Sequence, residues 1–333
     1  MIWLILLAGV ASLLITAVLR HYALAHSLLD IPNSRSSHSL PTPRGGGLSF
    51  VVAFLLAVLV IGWNGTITTS LLCAFLGSGG LVALIGFMDD RGHIAARWRL
   101  LAHFAAGGWG MYWLGGMPQL VLFGVPLAFP ALGLAFGLLY LVWLLNLYNF
   151  MDGIDGLASI EAICVCLGGS LLYWITGNSE DIWLPLLLAS TVTGFLFWNF
   201  PPASIFMGDA GSGFLGIVLG LLALQAAWID PLLFWGWLIL LGVFVVDATY
   251  TLVRRLSRRE RVYEAHRSHA YQHASRRHGS HLVVSLSVAA ITLAWLLPVA
   301  VAVVMLELDG ALGALVAYVP LALLAIRYRA GER

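Results

Sequence analysis

A helix that crosses a bilayer needs about 20 predominantly apolar residues, and this 333-residue chain offers eleven runs that approach that length. They extend over about Ile2 to Leu19, Gly46 to Ile61, Ser70 to Phe87, Leu100 to Leu114, Ala131 to Tyr148, Leu157 to Ile175, Trp183 to Phe200, Gly211 to Trp228, Leu232 to Val253, Leu282 to Val303 and Ala311 to Ile326. So many runs cannot share one water-soluble core. Only 10% of the residues are charged, against roughly 25% in an average soluble domain. A soluble globular protein, a disordered tail protein and a nucleic-acid binder with a basic face are all excluded. The expected fold is an all-α polytopic membrane protein with about eleven transmembrane helices. No internal repeat, low-complexity tract or linker divides the chain, so residues 1–333 are read as a single integral membrane domain.

All 17 basic Lys and Arg positions are arginine. With eleven spans they fall on one side. Arg20, Arg35 and Arg44 lie in the first loop, Arg91, Arg97 and Arg99 in the third, eight from Arg254 to Arg277 in the ninth, and Arg327, Arg329 and Arg333 in the tail. The positive-inside rule makes that side cytoplasmic, with the N-terminus outside and the C-terminus inside. Lacking a basic residue ahead of it and followed by Arg20, the first run reads as a retained helix rather than a signal peptide. The outer segment Gln119 to Phe129 is too short to span and suggests a small hairpin. With no lysine, a P-loop, a Schiff base and a lysine general base are excluded. Cys73, Cys164 and Cys166 lie in apolar runs and read as small hydrophobes.

A carboxylate at the centre of a spanning helix costs roughly 2.5 to 3.5 kcal/mol, so the placement of polar groups carries information. They gather at the cytoplasmic helix ends in five pieces. Arg35-Ser36-Ser37-His38 and Pro41 to Gly47 come first; the glycines open the second helix, either as a flexible start or as bare N–H groups suited to a phosphate. Asp89 and Asp90 end the third helix, where the macrodipole disfavours anions. They call for a cation, whether Arg91, a metal or a metal-bound diphosphate. Asn146, Asn149 and Asp152 recur at i, i+3, i+6 and share one broad helix face, running into the Asp152-Gly153-Ile154-Asp155-Gly156 turn. That is either ordinary turn chemistry or a set of hard oxygen ligands for Mg²⁺.

The fourth piece runs from Asn199-Phe200-Pro201-Pro202 to Phe206-Met207-Gly208-Asp209, in which Asp209 could simply N-cap the eighth helix. The fifth is the large basic loop 254–281, with His266, His269 and His273 among its histidines. Asp247 stands apart, about 10 Å inside Arg254. Its i+7 spacing from Arg254 makes a structural pairing at least as plausible as a catalytic role. Glu161 and His103 read as packing or surface groups.

As an ordered set, Phe87-Met88-Asp89-Asp90, Asn146-x-x-Asn149-x-x-Asp152-Gly-x-Asp155-Gly and Phe206-Met207-Gly208-Asp209-x-Gly-Ser resemble the polyprenyl-phosphate N-acetylhexosamine-1-phosphate transferases of glycosyltransferase family 4. The resemblance covers about Pro32 to Gln272. Arg35-Ser-Ser-His and Ala265-His-Arg-Ser-His-Ala-Tyr-Gln272 bring it nearest to the enzymes that initiate O-antigen synthesis. It implies transfer of a sugar 1-phosphate from a UDP-N-acetylhexosamine, or a 6-deoxy relative, to undecaprenyl phosphate, with release of UMP. The site would face the cytoplasm from the bacterial inner membrane and use Mg²⁺, with Mn²⁺ as a substitute. Asp209 and Asn149 would hold the metal, and Asp89, Asp90, Asp152 and Asp155 would be catalytic. Arg44, Gly45, Gly46, Arg97, Asn146, His266 and His269 would bind substrate. Besides substrates, membrane lipids are expected partners, nucleic acid is not, and the apolar helix faces permit a homodimer. Many members carry near-consecutive histidines in the last large loop; here the stretch reads His269-Ala270-Tyr271-Gln272, and only His269 matches cleanly. A multi-span transporter or flippase is the competing reading.

Overall fold

The computed structural model describes residues 1–32, 40–92, 94–127, 130–260 and 266–332. The Arg35 to His38 motif and Ala265 lie outside the described residues, as do Arg261 and Arg333. Every predicted apolar run is helical: α1 (Ile2–Ala25), α2 (Leu48–Trp63), α3 (Thr69–Arg91), α4 (Ala96–Leu114), α5 (Pro130–Met151), α6 (Leu157–Ile175), α7 (Trp183–Asn199), α8 (Asp209–Ile229), α9 (Pro231–Leu240) with α10 (Gly242–Ser257), α12 (His281–Met305) and α13 (Gly310–Arg327). By length and composition, seven helices among the described residues can cross a membrane, or eight if α9 and α10 count as one bent span. At 1.5 Å per residue, the 16 residues of α2 and 17 of α7 fall short of a hydrocarbon core of about 30 Å. The protein is thus an all-α, multi-pass membrane protein.

Three features depart from the simple reading of spans. The ninth run is two helices meeting at 70°, not one. A Cβ on Gly242 at the break would stand 2.8 Å from Tyr318, so the bend packs where only glycine fits. In α12, residues Thr292–Leu296 widen into a π turn just ahead of Pro298, whose ring and missing N–H disturb the α-helical ladder. The basic loop 254–281 is not all irregular, because Ala270–His278 forms a short helix, α11. Residues Leu120–Leu122 and Val125–Leu127 form the expected small hairpin around Phe123-Gly124, both at positive φ. The Gly124 N–H donates to Asp309, the N-cap of α13.

Helix α8 is buried on all sides from Ala210 to Ala227, as a helix with no polar face should be. Two of its contacts position the polar motifs. At Gly216 an added Cβ would stand 2.6 Å from the Leu145 Cα, so α5 presses backbone to backbone against α8. At Gly86 an added Cβ would meet the Ala210 N at 2.5 Å, so the end of α3 does the same. Small residues at such crossings let membrane helices approach closely. As a result Asp89 and Asp90 on α3, and Asn146 and Asn149 on α5, converge on the N-terminus of α8.

Candidate active site

At that N-terminus the N-cap is Gly208, at φ +81°, and not Asp209. Asp209 is the first helical residue, and its side chain caps nothing. The free amides are met from another helix: Asp90 Oδ1 accepts the Asp209 N–H at 3.1 Å and Oδ2 the Ala210 N–H at 3.3 Å. A Cβ on Gly208 would lie 2.6 Å from that carboxylate, so a larger residue would displace it. The N-cap reading of Asp209 is therefore corrected. Asp90 does the capping, and the Asp209 carboxylate is left to face the site.

The cation that the paired aspartates call for also has an answer, and it is not Arg91, which lies over the Phe87 ring at 4.5 Å. Asp90 is compensated by the positive end of α8 and by Arg44 Nε at 3.0 Å. Asp89 accepts from the Ile94 N–H at 2.7 Å and pairs with Arg99 Nη1 at 2.5 Å. Asp209 bridges the two guanidiniums, 2.6 Å from Arg44 Nη2 and 3.6 Å from Arg99 Nη1, and its carboxylate also meets that of Asp89. Burial works against the Arg44 charge, but Asp209 and Asp90 hold its pKa above the ordinary value.

Beside this group opens a cleft lined by Asp89, Arg99, His103, Asn146, Asn149, Phe150 and Asp209. Asn149 donates to the Ser212 hydroxyl at 3.0 Å, which fixes its amide plane beside Asp209. Asn146 donates to the Val142 carbonyl and lies 3.5 Å from His103 Nδ1. His103, expected to pack or face the surface, thus lines the cleft. Asp152 follows the end of α5, and burial, reinforced by the nearby carboxylates of Asp209, Asp90 and Asp155, pushes its pKa up to about 7. Asp155 sits in a scaffold: its carboxylate accepts the Ala203 N–H at 3.1 Å and lies 3.2 Å from His281 Nδ1. Asn199, buried, accepts the Gly156 N–H and donates to the Ile205 carbonyl, joining the Asp-Gly turn to the Phe206–Asp209 loop.

Two expectations about substrate contacts change. The glycine run does not present a row of bare N–H groups, because Gly46 donates to the Phe206 carbonyl and Gly47 to the Met207 carbonyl, each at 2.9 Å. The run pins residues 43–47 against the Asp209 loop, and Gly47 leaves no room for a Cβ 2.7 Å from Gly211. Gly45, at φ +92°, makes the turn that sends Arg44 toward Asp209. Arg97 is exposed over the Trp98 ring, while Arg99 reaches the carboxylates. Residues two apart on a helix point to nearly opposite faces, so only one arginine of Arg97-Trp98-Arg99 could enter the site. Nothing in that tripeptide says which.

The histidines sit behind Phe150. The His269 ring stacks at 6.4 Å from Phe150 and 4.9 Å from His266. Burial, with His269 and Arg255 nearby, pulls the His266 pKa down to about 3, so that ring is neutral at physiological pH and supplies no positive charge.

Asp89, Asp90, Asp152 and Asp209 outnumber the two guanidiniums that reach them. An anionic ligand entering such a group would gain from a further cation. Asp209 and Asn149 offer hard oxygen donors on the cleft wall, matching the way Mg²⁺ takes one or two protein ligands and completes its shell with water and substrate phosphate. No all-protein cage of three or more His, Cys, Asp or Glu is assembled among the described residues.

The membrane scaffold thus gathers carboxylates, amides and guanidiniums at one end of its buried central helix. A family model, "Glycosyl transferase family 4", matches residues 71–227 and so includes every acidic residue of the site. The chain is 28% identical over 266 residues to a probable undecaprenyl-phosphate N-acetylglucosaminyl 1-phosphate transferase of Bacillus subtilis, covering 78% of this chain and 73% of the relative. It is 30% identical over 250 residues to a decaprenyl-phosphate N-acetylglucosaminephosphotransferase of Mycolicibacterium smegmatis, covering 67% and 59%. A phospho-N-acetylmuramoyl-pentapeptide-transferase of Streptococcus thermophilus is 25% identical over 279 residues, covering 76% and 79%. The chain belongs to the polyprenyl-phosphate hexosamine-1-phosphate transferase family.

Proposed function

We propose that this protein transfers a sugar 1-phosphate from a UDP-N-acetylhexosamine to undecaprenyl phosphate, yielding the undecaprenyl diphospho-sugar and UMP. The observation that carries this reading is the Asp209 carboxylate, released from capping by Asp90 and turned to a cleft that Asp89, Asn146, Asn149 and Arg99 also line. An oxygen of the lipid phosphate attacks the sugar-bearing phosphorus, and the bond from that phosphorus to the oxygen bridging to UMP breaks. Negative charge builds on the departing UMP. Arg44 and Arg99 are placed to stabilise it, Arg as a planar fork suited to phosphate oxygens.

A phosphate monoester has its second pKa near 6 and is mostly dianionic at pH 7, so the acceptor needs no base. Asp90, already accepting two backbone amides and Arg44, holds the site's geometry rather than a proton in transit. Asp89 sets Arg99. Mg²⁺, or Mn²⁺ in its place, would be held by Asp209 and Asn149 and would supply neutralisation of the diphosphate charge.

The site faces the cytoplasm of the bacterial inner membrane in this reading. In support, Arg20 donates to the Ser204 carbonyl just ahead of the Phe206–Asp209 loop, and Arg44 and Arg99 reach Asp209 itself, as the positive-inside rule expects of a cytoplasmic end. An N-acetylated sugar, GlcNAc or a 6-deoxy relative, and a role in initiating O-antigen or another envelope polysaccharide are the preferred specifics; the relatives named for N-acetylglucosamine favour the first. Transporter sites tend to lie at the membrane midplane, whereas these carboxylates gather at helix ends, which disfavours transport. Radiolabelled UDP-sugars and undecaprenyl phosphate in detergent test the proposal. Divalent-dependent UMP release with a lipid-linked sugar phosphate, abolished by Asp209→Ala, is the expected result. Full activity in that variant would refute the metal assignment, and uptake into vesicles without turnover would establish a transporter.

A further inference from the structure

The acidic pair at the end of α3 is divided between two openings. Gly86 and Asp89 line the cleft at Asp209, whereas Phe87, Asp90 and Arg91 line a groove of about 310 Å³ that the end of α1 and the start of α2 complete. Gly86 and Asp89 share a helix face that the other three do not. The openings have no lining residue in common and meet at one contact, where Arg44 of the groove places Nη2 2.6 Å from Asp209 Oδ1 of the cleft. Apart from Arg44, the groove has no part in the chemistry described above.

The groove is amphipathic. Leu19, Tyr22, Leu29 and Phe87 are part of its apolar wall, and Asp30, Arg44, Asp90 and Arg91 are its charges. The wall continues onto the bilayer-facing side of the bundle, because Tyr22 follows Leu14 and Val18 at i+4 spacing along α1 and all three are exposed. Asp90 is already taken by the α8 amides and Arg44 Nε, and Asp30 lies near Arg44. Arg91 pairs with no carboxylate among the described residues. Its guanidinium lies over the Phe87 ring at 4.5 Å, where the apolar wall meets the charges. A guanidinium stacked on a ring directs its planar fork of N–H donors outward, toward phosphate oxygens.

We propose that this groove binds the phosphate end and first isoprenyl units of the polyprenyl-phosphate acceptor, with Arg91 and Arg44 as the phosphate contacts and the rest of the chain lying along α1 in the bilayer. This rests on the transfer reaction proposed above. A UDP-sugar offers little apolar surface for such a wall, so the groove suits the acceptor and the cleft the donor. The acceptor oxygen then bonds to the sugar-bearing phosphorus from the groove side as the bond to UMP breaks on the cleft side, the roughly in-line arrangement of phosphoryl transfer.

Initial rates in detergent, with each substrate varied in turn, are compared for the parent, Arg91→Gln and Leu29→Glu, and thermal unfolding checks folding. Arg91→Gln is expected to raise the KM for undecaprenyl phosphate about fivefold and Leu29→Glu about tenfold, with the UDP-sugar KM within about twofold of the parent. An unchanged lipid KM in both variants, or equal rises for the two substrates, overturns the groove assignment and leaves the transfer reaction standing. A second measurement uses the unaltered protein and needs no turnover. A polyprenyl phosphate carrying a diazirine near its phosphate end is expected to label Leu19, Tyr22 or Leu29, and to be displaced by undecaprenyl phosphate but not by the same excess of phosphatidylglycerol. Label confined to other helices, or displaced equally by phosphatidylglycerol, overturns the proposal. A labelled groove in a parent that turns over no UDP-sugar would refute the reaction while leaving the groove a polyprenyl-phosphate site.

Discussion

Asp90 and Asp209 stand on different helices, 119 residues apart, and the first caps the helix that the second begins, with 3.1 Å between the Asp90 Oδ1 and the Asp209 N. Helix α8 meets its N-cap requirement from α3, which leaves its own first-turn carboxylate available to the cleft. Placed at the C-terminal end of α3, Asp90 is compensated in turn by the amides of α8. Each helix end therefore offsets a cost of the other, the α8 amides taking the Asp90 charge and Asp90 satisfying the α8 amides.

Replacing Asp90 by Asn puts an N–H group against at least one backbone N–H or Arg44. We expect Asp90→Asn to lose activity by about a hundredfold or more at every pH from 6 to 9, and to unfold with about 1–3 kcal/mol less stability through the lost cap. Kinetics across that range check it. Recovery of activity at high pH would instead mark Asp90 as a base.

Arg99 and Arg97 separate cleanly. Arg99 touches Asp89 and approaches Asp209, whereas Arg97 lies exposed on Trp98. Arg99→Ala is expected to lower kcat by about a hundredfold, the scale of losing one charge-stabilising donor, and Arg97→Ala to change it less than about threefold by comparison. Equal losses in the two variants would contradict the geometry.

The Asp152 carboxyl, raised from 3.8 to about 7 by burial and neighbouring carboxylates, makes stability pH-dependent with a definite sign. Between those values the folded chain binds more protons at Asp152 than the unfolded chain does. Its contribution is present below pH 4 and is lost as pH rises through about 7. In chelator, Asp152→Asn should therefore gain thermal stability relative to the parent as pH goes from 5 to 8, and a constant difference would contradict the assignment.

Gly86 places the end of α3 against α8. A Cβ there would lie 2.5 Å from the Ala210 N, where backbone cannot yield cheaply. Gly86→Ala is expected to cost about 1–3 kcal/mol, the range for overpacking, and to reduce activity by displacing Asp89 and Asp90. Thermal unfolding and UMP release measure the two effects.

The sequence alone determined the membrane class, because apolar runs of helical length leave no other solvent, and it located the small hairpin after α4 from its turn residues. It also placed most of the acidic and amide motifs correctly at helix ends, since charge and hydropathy change sharply there. Arg99, by contrast, is indistinguishable from Arg97 in composition and differs only in helix phase. His103 is one polar residue among apolar neighbours until α5 brings Asn146 beside it. The spacing of Asp247 and Arg254 suggested a pair, but the Asp247 oxygens take amides 23 and 24 residues away, at the start of α11. Likewise the glycine run pointed to a phosphate cradle until the Phe206–Met207 carbonyls took its amides. A residue's type and local spacing state which hydrogen bonds and charges it needs satisfied; only the tertiary structure decides which distant group satisfies them, and so which side chain is left for the substrate.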